Sequence, residues 1–276
     1  TLWHTLSLHD ALPICSIADI GYRGVEIMAD QPHMNPLTFS DSDADRLAEL
    51  IADLGLGVSN VNNFTGFGFD DGDTYHPTWV EPDTAGRQQR IDFTKRAIDL
   101  TAHIGGDRVS LQPGGPYVGR PRAELDRLFA DGIAACVDHA RKHGVALGIE
   151  PEPGLLIERA DQFEAFKTQF FADEPMVVMN CDIGHHFCVH EDPADVIRQF
   201  NKWIGHIHIE DIAPSRVHQH LVPGDGAVDF SAIFAACDGV GYDGWITVEL
   251  YPYTSTAEDV ARRAYEHITP MLGAMA

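Results

Sequence analysis

Apolar residues recur with the period of a helix in some segments of the chain and form short strand-like runs in others. The two kinds of segment alternate. In residues 41–54, Leu47, Ile51 and Leu54 fall on one helical face, and the segment ends at Gly55 before a short apolar run. The same succession of amphipathic helix, glycine, short apolar strand and polar loop repeats towards the C-terminus. Strands that alternate with helices of this length predict βαβ units and a parallel sheet.

Seven strands can be counted in this pattern. They are predicted at residues 24–28, 58–62, 108–112, 146–150, 177–182, 206–210 and 245–250. Helices are predicted from residue 41, over 87–104, from 121 to 144, and near 161–170, 193–200, 230–237 and 257–271. Repeated βα units favour a closed (β/α)8 TIM barrel over an open doubly wound sheet. Because such a barrel has eight strands, we expect the native first strand to be missing through an N-terminal truncation.

The first residues of the chain differ in character from the rest. Residues 5–14 read TLSLHDALPI, which resembles one reading frame of a common sequencing adapter. We therefore expect residues 1–14 to be a non-native, adapter-derived segment and residues 15–276 to form one TIM-barrel domain. A genuine N-terminal extension is the alternative. A foreign segment at this position would also account for the missing strand.

Charge and cysteine content indicate which partners and which cellular compartment to expect. The chain has 19 basic and 42 acidic residues, a formal net charge of −23, and no basic run that could bind phosphates. No apolar run reaches the roughly 18–20 residues of a membrane span. Five scattered cysteines without a CxxC pair indicate reduced thiols. We expect a cytoplasmic enzyme that binds neither nucleic acid nor membrane; a homo-oligomer is left open.

Polar side chains that point into the predicted barrel indicate a metal site. Because strand side chains alternate between the two faces, five strands each send one acidic or imidazole group inward near the C-terminal end, where barrel active sites lie. These groups are Glu26, Glu150, Asp182, His208 and Glu249. Buried carboxylates are costly unless a cation holds them. The pattern predicts one divalent ion, with Mn²⁺ favoured and Mg²⁺, Co²⁺ or Zn²⁺ as alternatives. The alternative is that these groups bind no ion and each is only a hydrogen-bonded residue at the end of a strand.

Five segments make the pattern more specific. They read IEPEPG at 149–154, CDIGHH at 181–186, GHIHIED at 205–211, HLVPGDGAVDF at 220–230 and ITVELY at 246–251. Together they resemble the xylose isomerase-like TIM-barrel superfamily, which includes sugar phosphate isomerases and epimerases, ketose 3-epimerases, inosose-processing enzymes and endonuclease IV of the AP endonuclease type. The resemblance implies that Glu150, Asp182, His208 and Glu249 ligate the metal. It also implies that Glu150 and Glu249 are the catalytic acid/base pair.

The resemblance implies an isomerase or epimerase that acts on a sugar, sugar derivative or cyclitol through an enediolate. The substrate would be a small polyhydroxylated carbonyl compound of carbohydrate metabolism. Residues expected to contact it are His185, His220, Glu26, Glu152 and Gln112. His186 and His218 are not expected to contact the substrate.

Three other functions stay open at the sequence level. The first is a metal-dependent lyase or dehydratase of an inosose or a dehydroshikimate-like compound. The second is a non-catalytic sugar-binding protein. The third is an endonuclease IV-like hydrolase, which is the least favoured because Gln112 stands where that family has a ligating histidine and because the net charge is −23. Residues 151–154 also differ from the corresponding segment of ketose epimerases, so their substrate cannot be transferred.

Overall fold

The seven predicted strands form one parallel sheet. The computed structural model describes residues 12–65, 75–114 and 119–272. The strands are β1 (Gly24–Met28), β2 (Gly57–Asn62), β3 (Arg108–Leu111), β4 (Ala146–Ile149), β5 (Val177–Asp182), β6 (Ile204–Ile209) and β7 (Ile246–Val248). Each pairs in parallel with its neighbours in chain order. With helices between successive strands this is a nearly closed barrel, and the predicted TIM-barrel fold is confirmed.

Helices cover the outer face of the sheet. They are α1 (Leu12–Ile20), α2 (Asp41–Asp53), α3 (Thr84–His103), α4 (Arg122–His143), α5 (Ala160–Phe171), α6 (Ile183–Cys188), α7 (Pro193–Phe200), α8 (Phe230–Val240) and α9 (Ala257–Leu272), with a 3-10 turn at Asn201–Trp203. The seven helices predicted from periodicity are present; α1 and α6 are additional. Helix α1 crosses the predicted boundary at residue 14, and residues 1–11 lie outside the described ranges. The foreign origin of residues 1–14 therefore stays a prediction.

Local sequence signals set the helix ends. Ser40 and Asp43 form a reciprocal capping box at the start of α2, in which each side chain accepts from the other's backbone N–H. Gly144 ends α4 with φ of +68°, a left-handed conformation that glycine adopts without strain. The strand residues that face the helices, such as Leu147 and Ile149, are fully buried. The core therefore lies between sheet and helices, which leaves the barrel interior to polar groups.

The sheet has two edges, at β1 and β7. Within the described residues these two strands do not pair with each other. Helices α1 and α9 pack together outside the gap, and a cavity of about 750 Å³ lies beneath them. Inside the barrel the hydroxyl of Thr247 on β7 donates to Ser59 on β2 over 3.0 Å. The gap is compatible with an eighth strand, and the loss of a native first strand stays a prediction.

None of the described helices combines the length and apolar character that a membrane crossing needs.

Candidate active site at the mouth of the barrel

Four predicted metal ligands lie together at the C-terminal end of the sheet. Glu150 follows β4, Asp182 ends β5, His208 lies in β6 and Glu249 follows β7. All four are buried, and one donor atom from each lies within 4.8 Å of the other three. The parallel register opposes Asp182 to His208 directly. Side chains from four strands thus meet at one point, in the region where barrel enzymes carry their active sites.

The imidazole of His208 is the centre of this cluster. Its Nδ1 atom is 2.9 Å from Glu150 Oε1, 3.9 Å from Asp182 Oδ2 and 3.7 Å from Glu249 Oε2. Its Nε2 atom is 2.8 Å from Glu26 Oε2. Burial alone would lower the pKa of His208, but Glu26, Glu150 and Glu249 hold that pKa well above its usual value. One ring nitrogen thus faces three carboxylates while the other is fixed by a fourth.

The carboxylates of the cluster fall into two electrostatic classes. Burial raises the pKa of Glu150 and Glu249, and the negative charge of Asp182 raises both further. Burial would also raise the pKa of Asp182, but His185 and the neighbouring imidazoles bring it below the usual value. Asp182 is therefore the permanent anion of the cluster. Glu150 and Glu249 therefore bind a proton more readily than exposed glutamates do.

The donor set fits a divalent cation. Three carboxylates and one imidazole are typical ligands of Mn²⁺ and related ions. Several buried oxygens at the mouth accept no hydrogen bond from a protein group: Glu26 Oε1, Asp182 Oδ2, Glu210 Oε1 and Glu210 Oε2. Opposed ligands of such an ion lie roughly 4 Å apart, so donor atoms within 4.8 Å of one another need little movement to bind one.

His185 reaches the mouth through helix α6. The carboxylate of Asp182 caps this helix and accepts from the backbone N–H of His185 over 2.7 Å. The side-chain Nδ1 of His185 lies 3.0 Å from the carbonyl of Pro151, and its Nε2 lies 3.9 Å from Asp182 Oδ2. Burial lowers the pKa of His185. A neutral imidazole with one nitrogen turned towards the cluster can bond a substrate hydroxyl.

A loop after β6 returns His218 and His220 to the mouth. The loop is anchored by the Asp211 carboxylate, which accepts from four backbone N–H groups: those of Ile212, Gly224, Gly226 and Val228. A Cβ on Gly226 would lie 2.2 Å from Asp211 Oδ1, so this approach requires glycine. His218 Nε2 then lies 3.1 Å from His220 Nε2. Burial lowers the pKa of His218 to about 4 and that of His220 to about 3, so both rings are neutral.

The three other residues predicted to contact substrate lie in two places: Glu152 and Gln112 follow β4 and β3, and Glu26 lies on β1. Glu152 follows β4 and accepts from the Tyr75 hydroxyl over 3.1 Å. Burial and the adjacent Glu150 raise the pKa of Glu152 to about 8. Gln112 directly follows β3 and is 8% exposed. Glu26, by contrast, lies against two imidazoles, those of His208 at 2.8 Å and His206 at 3.3 Å.

Some residues of the site were not assigned a role from sequence. Alternation along β5 and β6 directs Asn180 and Glu210 inward, but it gives them no partner. Asn180 Nδ2 lies 3.3 Å from His208 Nδ1, and Asn62 Nδ2 donates to Glu249 Oε1 over 3.3 Å. A Cβ on Gly184 would lie 1.6 Å from Glu210 Oε1, so this glycine makes room for the carboxylate. The strand pattern was the available signal for all three polar residues.

The chain was compared with known families once this geometry was established. The model of the xylose isomerase-like TIM barrel family matches residues 16–271. The chain belongs to this family. Members of the xylose isomerase-like family share the barrel, and the earlier resemblance at residues 149–154, 181–186 and 246–251 is thereby confirmed at the level of family.

Proteins similar to this chain include an isomerase, a dehydratase and an epimerase-like protein. A 2-oxo-tetronate isomerase of Pectobacterium atrosepticum is 29% identical over 250 residues, covering 87% of this chain and 86% of that protein. An inosose dehydratase of Clostridium beijerinckii is 27% identical over 165 residues, which cover 53% of this chain and 55% of the relative. The chain thus spans about half the length of that dehydratase. A crystal structure of a D-tagatose 3-epimerase-like protein superposes with a TM-score of 0.79 over all of both chains at 18% identity, so it shows the fold.

Proposed function

We propose that this protein is a divalent-metal-dependent isomerase or epimerase of a sugar, sugar derivative or cyclitol. One observation carries the proposal: the donor atoms of Glu150, Asp182, His208 and Glu249 converge within 4.8 Å at the barrel mouth. Such a set is costly without a cation, because buried carboxylates repel one another and lose their hydration. The bound ion would supply Lewis-acid stabilisation of negative charge that develops on a substrate oxygen. We favour Mn²⁺.

Glu150 and Glu249 are proposed as the acid/base pair. Burial raises the pKa of both carboxyls, so each can hold a proton at a pH where an exposed glutamate could not. One removes the proton from the carbon next to the substrate carbonyl, which gives an enediolate. The other returns a proton, either to the neighbouring carbon in an isomerisation or to the opposite face in an epimerisation. Positioned proton transfer of this kind contributes about 10²–10⁴-fold in rate.

Neutral imidazoles and amides are proposed to orient the substrate. His185 and His220 flank Asp182 and the cluster, and burial keeps both rings uncharged. Glu152 and Gln112 follow neighbouring strands and would bond hydroxyls at the rim. Glu26 was predicted to contact substrate. Its hydrogen bond to His208 suits it better to orient that ring, in the manner of carboxylates behind metal-ligating histidines.

A dehydratase is the second candidate, and Glu152 favours it. Inosose dehydratases are among the relatives. With its pKa raised to about 8, Glu152 is largely protonated at neutral pH and could donate a proton to a departing hydroxide. A hydrolase of the endonuclease IV type is not proposed, because Gln112 offers an amide where that chemistry needs an imidazole ligand.

Solvent exchange tests the proposal directly. The full chain is loaded with Mn²⁺ and incubated in D₂O with 2-oxo-tetronates, ketoses and inososes, and proton NMR follows the carbon-bound protons. Deuterium at the carbon next to the carbonyl, together with an isomeric product, supports the isomerase. A new alkene or enone would identify a dehydratase. Binding of metal and ligand without exchange for any substrate would indicate a non-catalytic sugar-binding protein and would refute both enzymes.

Cellular location and partners complete the proposal. All five cysteines are free thiols, and three of them are buried. This agrees with a reducing compartment, so we propose a cytoplasmic protein. Its partner would be the small polyhydroxylated substrate rather than a nucleic acid, in keeping with the net charge of −23.

A further inference from the structure

A second cluster of histidines lies on the outer face of the barrel, away from the mouth. His139 and His143 are four residues apart on α4, so they share one helical face. Their rings are 4.7 Å apart between centroids, at an interplanar angle of 32°. Asp99 on the neighbouring helix α3 faces both rings. Because α4 ends at His143 and β4 begins at Ala146, this cluster lies where the strands begin, at the end of the barrel opposite the mouth.

The two imidazoles converge on a single oxygen. Asp99 Oδ1 lies 2.6 Å from His139 Nε2 and 3.3 Å from His143 Nε2. These three side chains are between 27% and 34% exposed, so water can reach the point of convergence. One donor atom from each lies within 4.8 Å of the other two. The arrangement offers two nitrogens and one oxygen on one side and open solvent on the other.

We propose that Asp99, His139 and His143 bind one borderline transition-metal ion, Zn²⁺ above all, at a site separate from the proposed active site. Two imidazoles and one carboxylate, completed by water, match the tetrahedral preference of Zn²⁺. Imidazole-rich sites also accept Ni²⁺ and Cu²⁺. The end of α4 contributes as well, because the negative end of a helix dipole favours a cation. A bound ion would link α3 to α4.

The chain contains a matched control for this site. His103, also on α3, pairs with Asp45 over 2.7 Å, and its side chain is 33% exposed. That pair has the same two residue types and a histidine of similar exposure, while its carboxylate is more exposed, at 65% against 34% for Asp99. Among the described residues, His103 and Asp45 belong to no group of side chains that could hold a metal ion. If two imidazoles on one helical face make the site, the pair at His103 should not bind Zn²⁺ with comparable affinity.

The test is Zn²⁺ titration of the untagged full chain by calorimetry and equilibrium dialysis. The wild type is compared with His143→Gln, Asp99→Asn and the control His103→Gln. Because the barrel mouth and every other histidine are the same in each comparison, the difference in stoichiometry reports this site alone. We expect the loss of one equivalent of Zn²⁺ in the first two variants and none in His103→Gln. We also expect Zn²⁺ to raise the Tm less in His143→Gln than in the wild type.

Two results would overturn the proposal. Equal Zn²⁺ stoichiometry in all four proteins would place the ion elsewhere on the chain. If His103→Gln also lost one equivalent of Zn²⁺, the binding would be non-specific and would occur at surface histidines in general. Circular dichroism before titration checks that the variants are folded, and Asp99→Asn, which keeps both imidazoles, replaces His143→Gln if that variant is unstable.

Discussion

The two walls of the barrel interior carry different chemistry. Strands β4 to β7 contribute the carboxylates and imidazoles of the cluster, Glu150, Asp182, His208 and Glu249. Strands β2 and β3 contribute amides and hydroxyls, among them Asn60, Asn62 and Ser110, and Asn60 donates to Ser110 over 2.8 Å. Glu26 on β1 is the acidic exception. Under the proposed function, the wall formed by β4 to β7 (the charged wall) would hold the ion and move protons. The wall formed by β2 and β3 (the neutral wall) would orient the hydroxyl groups of the substrate.

The largest expected effect comes from removing the permanent anion of the charged wall. Asp182→Asn keeps a side chain that can cap α6, so the fold should persist. It removes a carboxylate whose pKa lies below its usual value. We expect loss of tight metal binding and of detectable turnover, measured by metal analysis and the D₂O exchange assay. His103→Gln, on the outer helix α3, is the control. Normal activity in Asp182→Asn would remove the charged wall from the mechanism.

The next largest effect is expected from substitutions that block proton transfer but keep an oxygen ligand for the metal. Glu150→Gln and Glu249→Gln keep an oxygen donor but cannot accept a proton at neutral pH. With Mn²⁺ at saturation, we expect kcat to fall by about 10²–10⁴-fold in each variant, the range of general acid/base catalysis. The measurement is steady-state turnover beside deuterium exchange. Full turnover by either metal-loaded variant would exclude that glutamate from the acid/base pair.

Substitution of Glu26 tests whether this carboxylate of β1 supports the metal ligands of the charged wall. Glu26→Gln removes the charge 2.8 Å from His208 Nε2 while keeping a polar group there. Since partners behind metal-ligating histidines typically account for 10–100-fold in metal affinity, we expect the Kd for Mn²⁺ to rise by about that factor. A direct substrate contact would instead raise KM and leave the Kd for metal unchanged.

Metal affinity should depend on pH because the charged wall holds protons. Burial raises the pKa of Glu150 and Glu249, and three glutamates raise that of His208. Binding an ion displaces these protons. Affinity for Mn²⁺ should therefore rise as pH increases from 6 to 8, by up to about tenfold per pH unit for each proton released. Calorimetry in buffers of different ionisation enthalpy counts the protons, and a flat profile would contradict the raised pKa values.

The smallest effect is expected on the neutral wall. Gln112→Ala, just after β3, and Asn60→Ala, on β2, each remove a neutral polar group of this wall. A neutral hydrogen bond contributes about 0.5–1.5 kcal/mol, so KM should rise by roughly 2- to 10-fold with little change in kcat. Steady-state kinetics with a substrate identified by exchange would check this. A loss of metal from either variant would show that the two walls are not independent.

The sequence alone was sufficient for the fold and for the members of the cluster. Helical and strand periods alternate along the chain and are separated by glycines, and this pattern predicted both ends of all seven strands to within two residues. It could do so because each period reflects one buried face. Strand parity directed Glu150, Asp182, His208 and Glu249 inward, since neighbouring side chains must point to opposite faces. Neither inference required knowledge of contacts distant in the chain.

Only the tertiary structure determined the partners of these groups. Helix α6 is too short for a periodic signal, yet it sets His185 beside Asp182. His218 returns to the mouth because Asp211 binds backbone N–H groups up to 17 residues further along the chain. Glu26 contacts His208 across 182 residues of sequence. Which nitrogen faces which oxygen depends on loop closure and burial, so local periodicity can assign the direction of a side chain but not its partner.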